Sequence, residues 1–438
     1  MTQAVKQKKG WGDFKHLMII FGCMLIQAIP YGLAQNVPPL FVRYLHTDFN
    51  FSLANIGLII TIGAIAASFV SPVGGKFYSK YSTRLVMIIA LLISCFGLFM
   101  NAYVNTLGMY LLANAIVQIG SVVYSGLGVP YLIGLWFGDE HKAQALGIAF
   151  AGGSIGNFFL QPIFTHLLHK YAVNSVSGLH FVYFIAACSA LIVGLVILLF
   201  FIRDYKGDNN QDTTKTKEDL EKETKEVNAK LKGIGTKAVQ KLPSFWILAT
   251  GMLFIGANIS AQSFQYANYF EHLKFDSTLV GLVGSTFAIA CLIGNTCGGW
   301  LYAKLGIFHS VLIAFGLQLF SCLAMISLQY VHLDVLPYTW GALYGLSVFI
   351  YMSGPAILVQ NLFGMKESSE TLGIFSIFFA VGFALGNIFY GIVADTFGYL
   401  PAWLLTLAFL VIGFVTLSIM VRKIEKHDYA HVQTNPEK

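Results

Sequence analysis

With 438 residues, 56% of them hydrophobic and only 11% charged, and a mean hydropathy of +0.68, the chain cannot clothe a water-facing surface; soluble domains carry about 25% charged residues. Its net charge of +6 follows topology rather than forming a basic face, so nucleic acid is excluded as a partner. No catalytic-triad spacing, phosphate-cradling loop or metal cluster occurs, so neither enzymatic chemistry nor a cofactor is expected.

Twelve apolar runs are long enough to cross a hydrocarbon core of ~30 Å. The first six cover 16–42, 53–75, 85–104, 107–135, 144–168 and 180–202. The first is too long for a signal-peptide core and reads as a retained helix; Pro30, with Pro38 and Pro39 near its end, predicts a kink there. Residues 203–242 carry ten basic and eight acidic side chains and read as a solvated cytoplasmic linker, with a charged helix around Glu218–Leu231. The second six runs cover 243–270, 278–302, 309–330, 335–363, 371–394 and 400–421. The expected fold class is an all-α membrane protein with twelve transmembrane helices in two pseudo-symmetric six-helix bundles. The expected divisions are an N-terminal bundle (1–202), the linker (203–242) and a C-terminal bundle with a short tail (243–438). The six cysteines all lie in apolar runs and read as packing residues.

None of the 27 Lys and Arg or the 21 Asp and Glu falls inside a run. With both termini cytoplasmic, the termini and inner loops hold fourteen basic residues, the linker ten, and the outer loops only Arg43, Lys170 and Lys274. This is the positive-inside asymmetry, and it places both termini in the cytoplasm. The short outer loops and compact size point to a plasma (inner) membrane.

The halves repeat each other. Ala34-Gln35 recurs as Ala261-Gln262, 227 residues on, and Gly74-Gly75 as Gly298-Gly299, 224 on. Phe137-Gly138 and Leu146-Gly147 recur as Phe363-Gly364 and Leu372-Gly373, 226 on. Chance matches would scatter in offset. A parallel duplication of a six-helix unit places a solute site between the halves near mid-membrane. Asn157, Asn295 and Asn387, each after an Ile-Gly or Leu-Gly pair, add a finer echo.

At these residues the chain resembles the major facilitator superfamily. The stretch Gly75-x3-Ser79-Lys80-x-Ser82-Thr83-Arg84 looks like its signature loop, with Ser79 in the place of an acid from which the family builds an inter-bundle ion pair. Trp136-Phe137, Ala145 to Ala149 and Ala151 to Gly156 resemble the oxalate:formate antiporter and monocarboxylate transporter branch. So does Leu362-Phe363-Gly364 through Gly373, ending at Gly391-x3-Asp395-x2-Gly398-Tyr399. That resemblance implies a secondary carrier. The branch commonly sets an arginine in helix 8 against the substrate carboxylate, and that position here is Asn295; the helix 11 lysine of oxalate-type carriers is also missing. Neutral amides cannot offset a dicarboxylate in a low-dielectric cavity, which points away from oxalate-type exchange.

The deep polar residues are amides and phenols. In the resembled fold, helices 1, 4, 7 and 10 line the cavity. Tyr31 and Gln35 in helix 1 match Asn258 and Gln262 in helix 7 at the 227-residue offset, and residues four apart share a helical face. With Tyr124 in helix 4, Asn295 in helix 8 and Tyr351 in helix 10, they form the candidate substrate-binding set; interhelical bonding, worth ~0.6 kcal/mol on average, is the competing role. The expected function is alternating-access transport of a small organic solute, a monocarboxylate-type anion first. A neutral polar solute such as a sugar or nucleoside is the alternative, and a transporter-derived sensor or scaffold the remote one. The expected partners are the solute, a counter-transported solute or proton, and membrane lipid.

Overall fold

Hydrocarbon offers backbone amides no partner, so a spanning segment satisfies them internally as helix. The computed structural model describes residues 14–205 and 231–429, apart from 42–43, 46–48, 50, 52, 173–174 and 428. The expected charged helix at Glu218–Leu231 falls almost wholly outside the described residues.

Twelve long helices are present among those residues. They are α1 (Phe14–Gln35), α2 (Leu53–Lys80), α3 (Thr83–Asn101), α4 (Leu107–Trp136), α5 (Asp139–Tyr171) and α6 (Val176–Phe200) in the first half. The second half holds α7 (Pro243–His272), α8 (277–305), α9 (307–327), α10 (Val335–Phe363), α11 (Ser368–Phe397) and α12 (Tyr399–Glu425). Helices α8 and α9 are separated only by Gly306, whose φ of 76° turns the chain back; a β-carbon there would be strained. At the matching turn of the first half, Ser82 instead caps α3 by accepting from Leu85 N at 3.3 Å.

Helix α1 breaks at Ile29 and restarts at Pro30, as the ring's missing N–H requires. Helix α5 starts at Asp139, five residues before its apolar run, and its first turn takes Lys142 into full burial, at 2% exposure. Apolar side chains cover the outside as well as the inside: Ile192 and Phe200 on α6 are 62% and 65% exposed. That face is built for lipid.

Within the halves, α1 packs on α5, α3 on α4 and α6, and α7 on α11 and α12. Between them, α2 crosses α11 and α5 crosses α8. The crossings are close because glycines remove the side chain. A β-carbon on Gly75 would stand 2.5 Å from the Ser369 carbonyl oxygen, and one on Gly147 2.5 Å from that of Asn295. All these contacts lie toward the end that carries the chain termini. There Gln360 of α10 donates to the Pro130 carbonyl of α4 at 2.9 Å, and Lys76 of α2 pairs with Glu370 of α11 at 3.3 Å. Ser79 stands where the signature loop has its acid and donates to the Lys76 carbonyl of its own helix at 2.8 Å; the Lys76–Glu370 pair across the seam uses a different acid. The end of the linker is stapled beside it: Met365 N donates to Lys232 O at 2.9 Å, and Thr236 N to Glu367 Oε2 at 2.8 Å.

Candidate functional site

A solute site between two bundles needs polar groups at mid-depth on helices whose backbone can spare or reorient them. Two such places are marked by broken helix geometry. Helix α4 widens to a π-helical turn at Val122–Leu127, and α10 tightens to a 3-10 turn at Val348–Ile350 followed by turn residues 351–353. Tyr124 and Tyr351 sit in these segments, and they are 227 residues apart, the offset of the internal repeat. Irregular backbone at membrane depth is tolerated where it is buried in protein or lines a cavity, and π-turns cluster at functional sites.

The seven candidates fall into three groups. In the N bundle, Gln35 is half-buried; its amide meets Gln118 in a mutual amide pair and donates to Ser121 Oγ at 3.0 Å. Tyr31 is half-buried beside Tyr124, whose hydroxyl is fully buried. In the C bundle, Tyr351 is half-buried, stacked on Phe379 of α11 with centroids 6.2 Å apart. Its neighbour Tyr344 bonds to Ser263 Oγ at 2.6 Å. Gln118, Ser121, Ser263 and Tyr344 therefore belong beside the chosen residues. Their signal was present in the sequence as polar residues on helices 4, 7 and 10.

Asn258 and Gln262 form the second group, fully buried inside the C bundle. Asn258 Nδ2 donates to Thr406 O of α12 at 3.1 Å, and its Oδ1 accepts from Gln262 Nε2 at 3.0 Å. Gln262 Oε1 accepts from Ser321 Oγ of α9 at 3.1 Å and Trp340 Nε1 of α10 at 3.0 Å. Every one of these partners belongs to the same bundle, so in this conformation the pair ties α7 to α9, α10 and α12.

Asn295 stands alone as the third group. It is 0% exposed at the α5–α8 crossing, and neither atom of its amide has a partner. The side chain of Asn387 lies outside the described residues. A cavity of about 50 Å³ opens inside the N bundle, lined by Leu33, Phe41, Leu98, Asn101, Tyr110 and Tyr183 among others. It has room for a few waters and belongs to one bundle, so it is not the place where two halves exchange a solute.

Comparison with known proteins agrees with this architecture. Monocarboxylate transporter 12 of Xenopus laevis is 23% identical over 97% of this chain and 92% of its own length. The oxalate:formate antiporter of Oxalobacter formigenes is 22% identical over 96% and 94%. Among solved structures, a proton:xylose symporter superposes with a TM-score of 0.72 over 94% of this chain and 99% of its own, at 13% identity. The human organic anion transporter MFSD10 gives 0.65 over 92% and 99%, also at 13%. The family model of the Major Facilitator Superfamily matches residues 20–386, and with twelve helices in two related bundles the chain belongs to that superfamily.

Proposed function

We propose that this member of a transporter superfamily, which is not an enzyme, carries a small monocarboxylate across the plasma membrane by alternating access. Both termini and the linker are taken to be cytoplasmic, on the positive-inside asymmetry of the loops. The bundles 1–202 and 243–438, tethered by 203–242, then rock about the seam; among the described residues the close contacts across it at Gly75, Gly147, Gln360 and Lys76 lie at the terminal end, which fits a carrier closed on the inside.

The observation that carries the reading is an uncharged polar set at and around the broken turns of α4 and α10: Tyr31, Gln35, Tyr124 and Tyr351, flanked by Gln118, Ser263 and Tyr344. Phenols and amides orient a carboxyl group by hydrogen bonds but do not balance a fixed charge. A monocarboxylate is therefore carried with its proton or by exchange for a like anion, and a dicarboxylate is rejected. The two relatives named above, a monocarboxylate transporter and an oxalate:formate antiporter, support the substrate class. Asn258 and Gln262, whose amides are engaged within the C bundle, are left out of the site.

In proteoliposomes the purified protein is expected to raise uptake of short monocarboxylates at least about ten-fold over empty vesicles, with competition by monocarboxylates and none by oxalate. Flux of no carboxylate across a broad panel would reject the class. Competition by sugars or nucleosides alone would select the neutral-solute alternative, which the lack of embedded cations also favours.

The Lys76–Glu370 pair is a gate contact of modest strength. Lys76 is 55% exposed, and exposed pairs contribute roughly 0.2–1 kcal/mol. Glu370→Lys is expected to slow flux by no more than about five-fold through like-charge repulsion, and Lys76→Glu added to it is expected to restore the rate. A double variant as slow as the single one would show that the pair does not act as a unit.

A further inference from the structure

We propose that Asn295 holds the inner gate under strain, so that the empty carrier is driven toward the inward-open state. The inference rests on alternating access, not on the identity of the solute.

Asn295 lies on the segment of α8 that meets α5. Its own carbonyl oxygen is what a β-carbon on Gly147 would strike, and Gly299, one turn further on the same face, lies against Ala143, Gln144 and Gly147 of α5. The closed seam therefore buries an amide with two unpartnered polar ends, 0% exposed. An orphaned buried polar group destabilises the state that buries it. When α5 and α8 part, the amide reaches water or solute and the penalty disappears. The closed-inside state alone carries the penalty, so removing the amide must favour that state.

A second orphan provides the contrast. Gln318 of α9 is also 0% exposed, with neither amide atom partnered. It lies one turn from Ser321, which faces α7 and α10 of its own bundle. A rigid-body movement of one bundle against the other leaves its surroundings unchanged. Burial of an orphan amide within a bundle weakens the fold, whereas burial between bundles shifts a conformational equilibrium.

The test is a spin-label distance measurement in nanodiscs without solute, with labels at His169 and Tyr330, on the ends of α5 and the α9–α10 connection opposite the termini. Both are exposed, Tyr330 at 72%. Exposed Cys297 and half-buried Cys188 are first replaced by alanine; the other cysteines are buried. Asn295→Leu and Asn295→Ala are each expected to raise the ratio of outward-open to inward-open molecules about ten-fold, while Gln318→Leu raises thermal stability and leaves the ratio unchanged. Agreement between leucine and alanine, which differ in size, separates the polar effect from packing. An unchanged ratio, a shift toward the inward-open form, a shift with only one of the two Asn295 variants, or an equal shift with Gln318→Leu would each overturn the proposal. Since no solute is present, a wrong substrate class cannot produce any of these outcomes.

Discussion

Gly147→Val is expected to cut monocarboxylate flux at least about ten-fold in a protein that still folds and inserts. A β-carbon at that position would stand 2.5 Å from the Asn295 carbonyl oxygen and 3.0 Å from both Cα and N of Gly299. All three are backbone atoms of α8, which cannot swing aside like a side-chain tip. Overpacking of this kind costs about 1–3 kcal/mol, and 1.4 kcal/mol is a factor of ten in an equilibrium. The penalty falls on the inside-closed state alone, because the seam opens in the other. The expected distance distribution therefore moves toward inward-open, opposite to the change expected for Asn295→Leu. Gly147→Ala gives the same sign. Gly153, on the same helix, has nothing within 4 Å of its would-be β-carbon, and Gly153→Ala is expected to be silent. Normal flux in Gly147→Val, measured in the same proteoliposomes, would show that the seam does not close this tightly in the cycle.

The helix count was legible because lipid imposes one simple requirement, a continuous apolar run for each crossing. The family was legible because glycines at the crossings, Gly75, Gly147, Gly299 and Gly373, recur with the duplication, and close backbone approach leaves no other residue to use. Less of the interior could be read. Hydropathy is blind to the π-turn around Tyr124 and the 3-10 turn before Tyr351, since both segments are as apolar as their neighbours. Lys142 counts in the sequence as one of the basic residues of the inner loops, yet helix α5 begins before its apolar run and draws that side chain into full burial. The gate ion pair was hidden for a different reason: Glu370 lies 294 residues from Lys76, in a place no local signature specifies.

The same limit decides how Gln262 and Gln35 differ, and stability against affinity separates them. Equal spacing on helices 1 and 7 says that each polar pair shares a face, but in a six-helix bundle several faces meet protein. Gln262 uses both amide ends on Asn258, Ser321 and Trp340, all within one bundle. Gln262→Leu would leave the Trp340 indole N–H, the Ser321 hydroxyl and the Asn258 carbonyl oxygen with one fewer partner each. Ser321 keeps its bond to the Trp340 carbonyl, so two groups are orphaned; at about 1 kcal/mol each the expected loss is roughly 2 kcal/mol, large beside the ~0.6 kcal/mol average for a single interhelical bond. A clearly lowered Tm with an unchanged KM in the surviving protein is the expected result. Gln35 is half-buried and shares its amide with Gln118 and Ser121, so a solute can compete for it at little cost to the fold. Gln35→Leu is expected to raise KM several-fold with a small change in Tm. If Gln262→Leu instead raised KM at constant Tm, α7 would have to turn during the cycle to present that face to the solute, and the bonds seen here would belong to one stage of transport only.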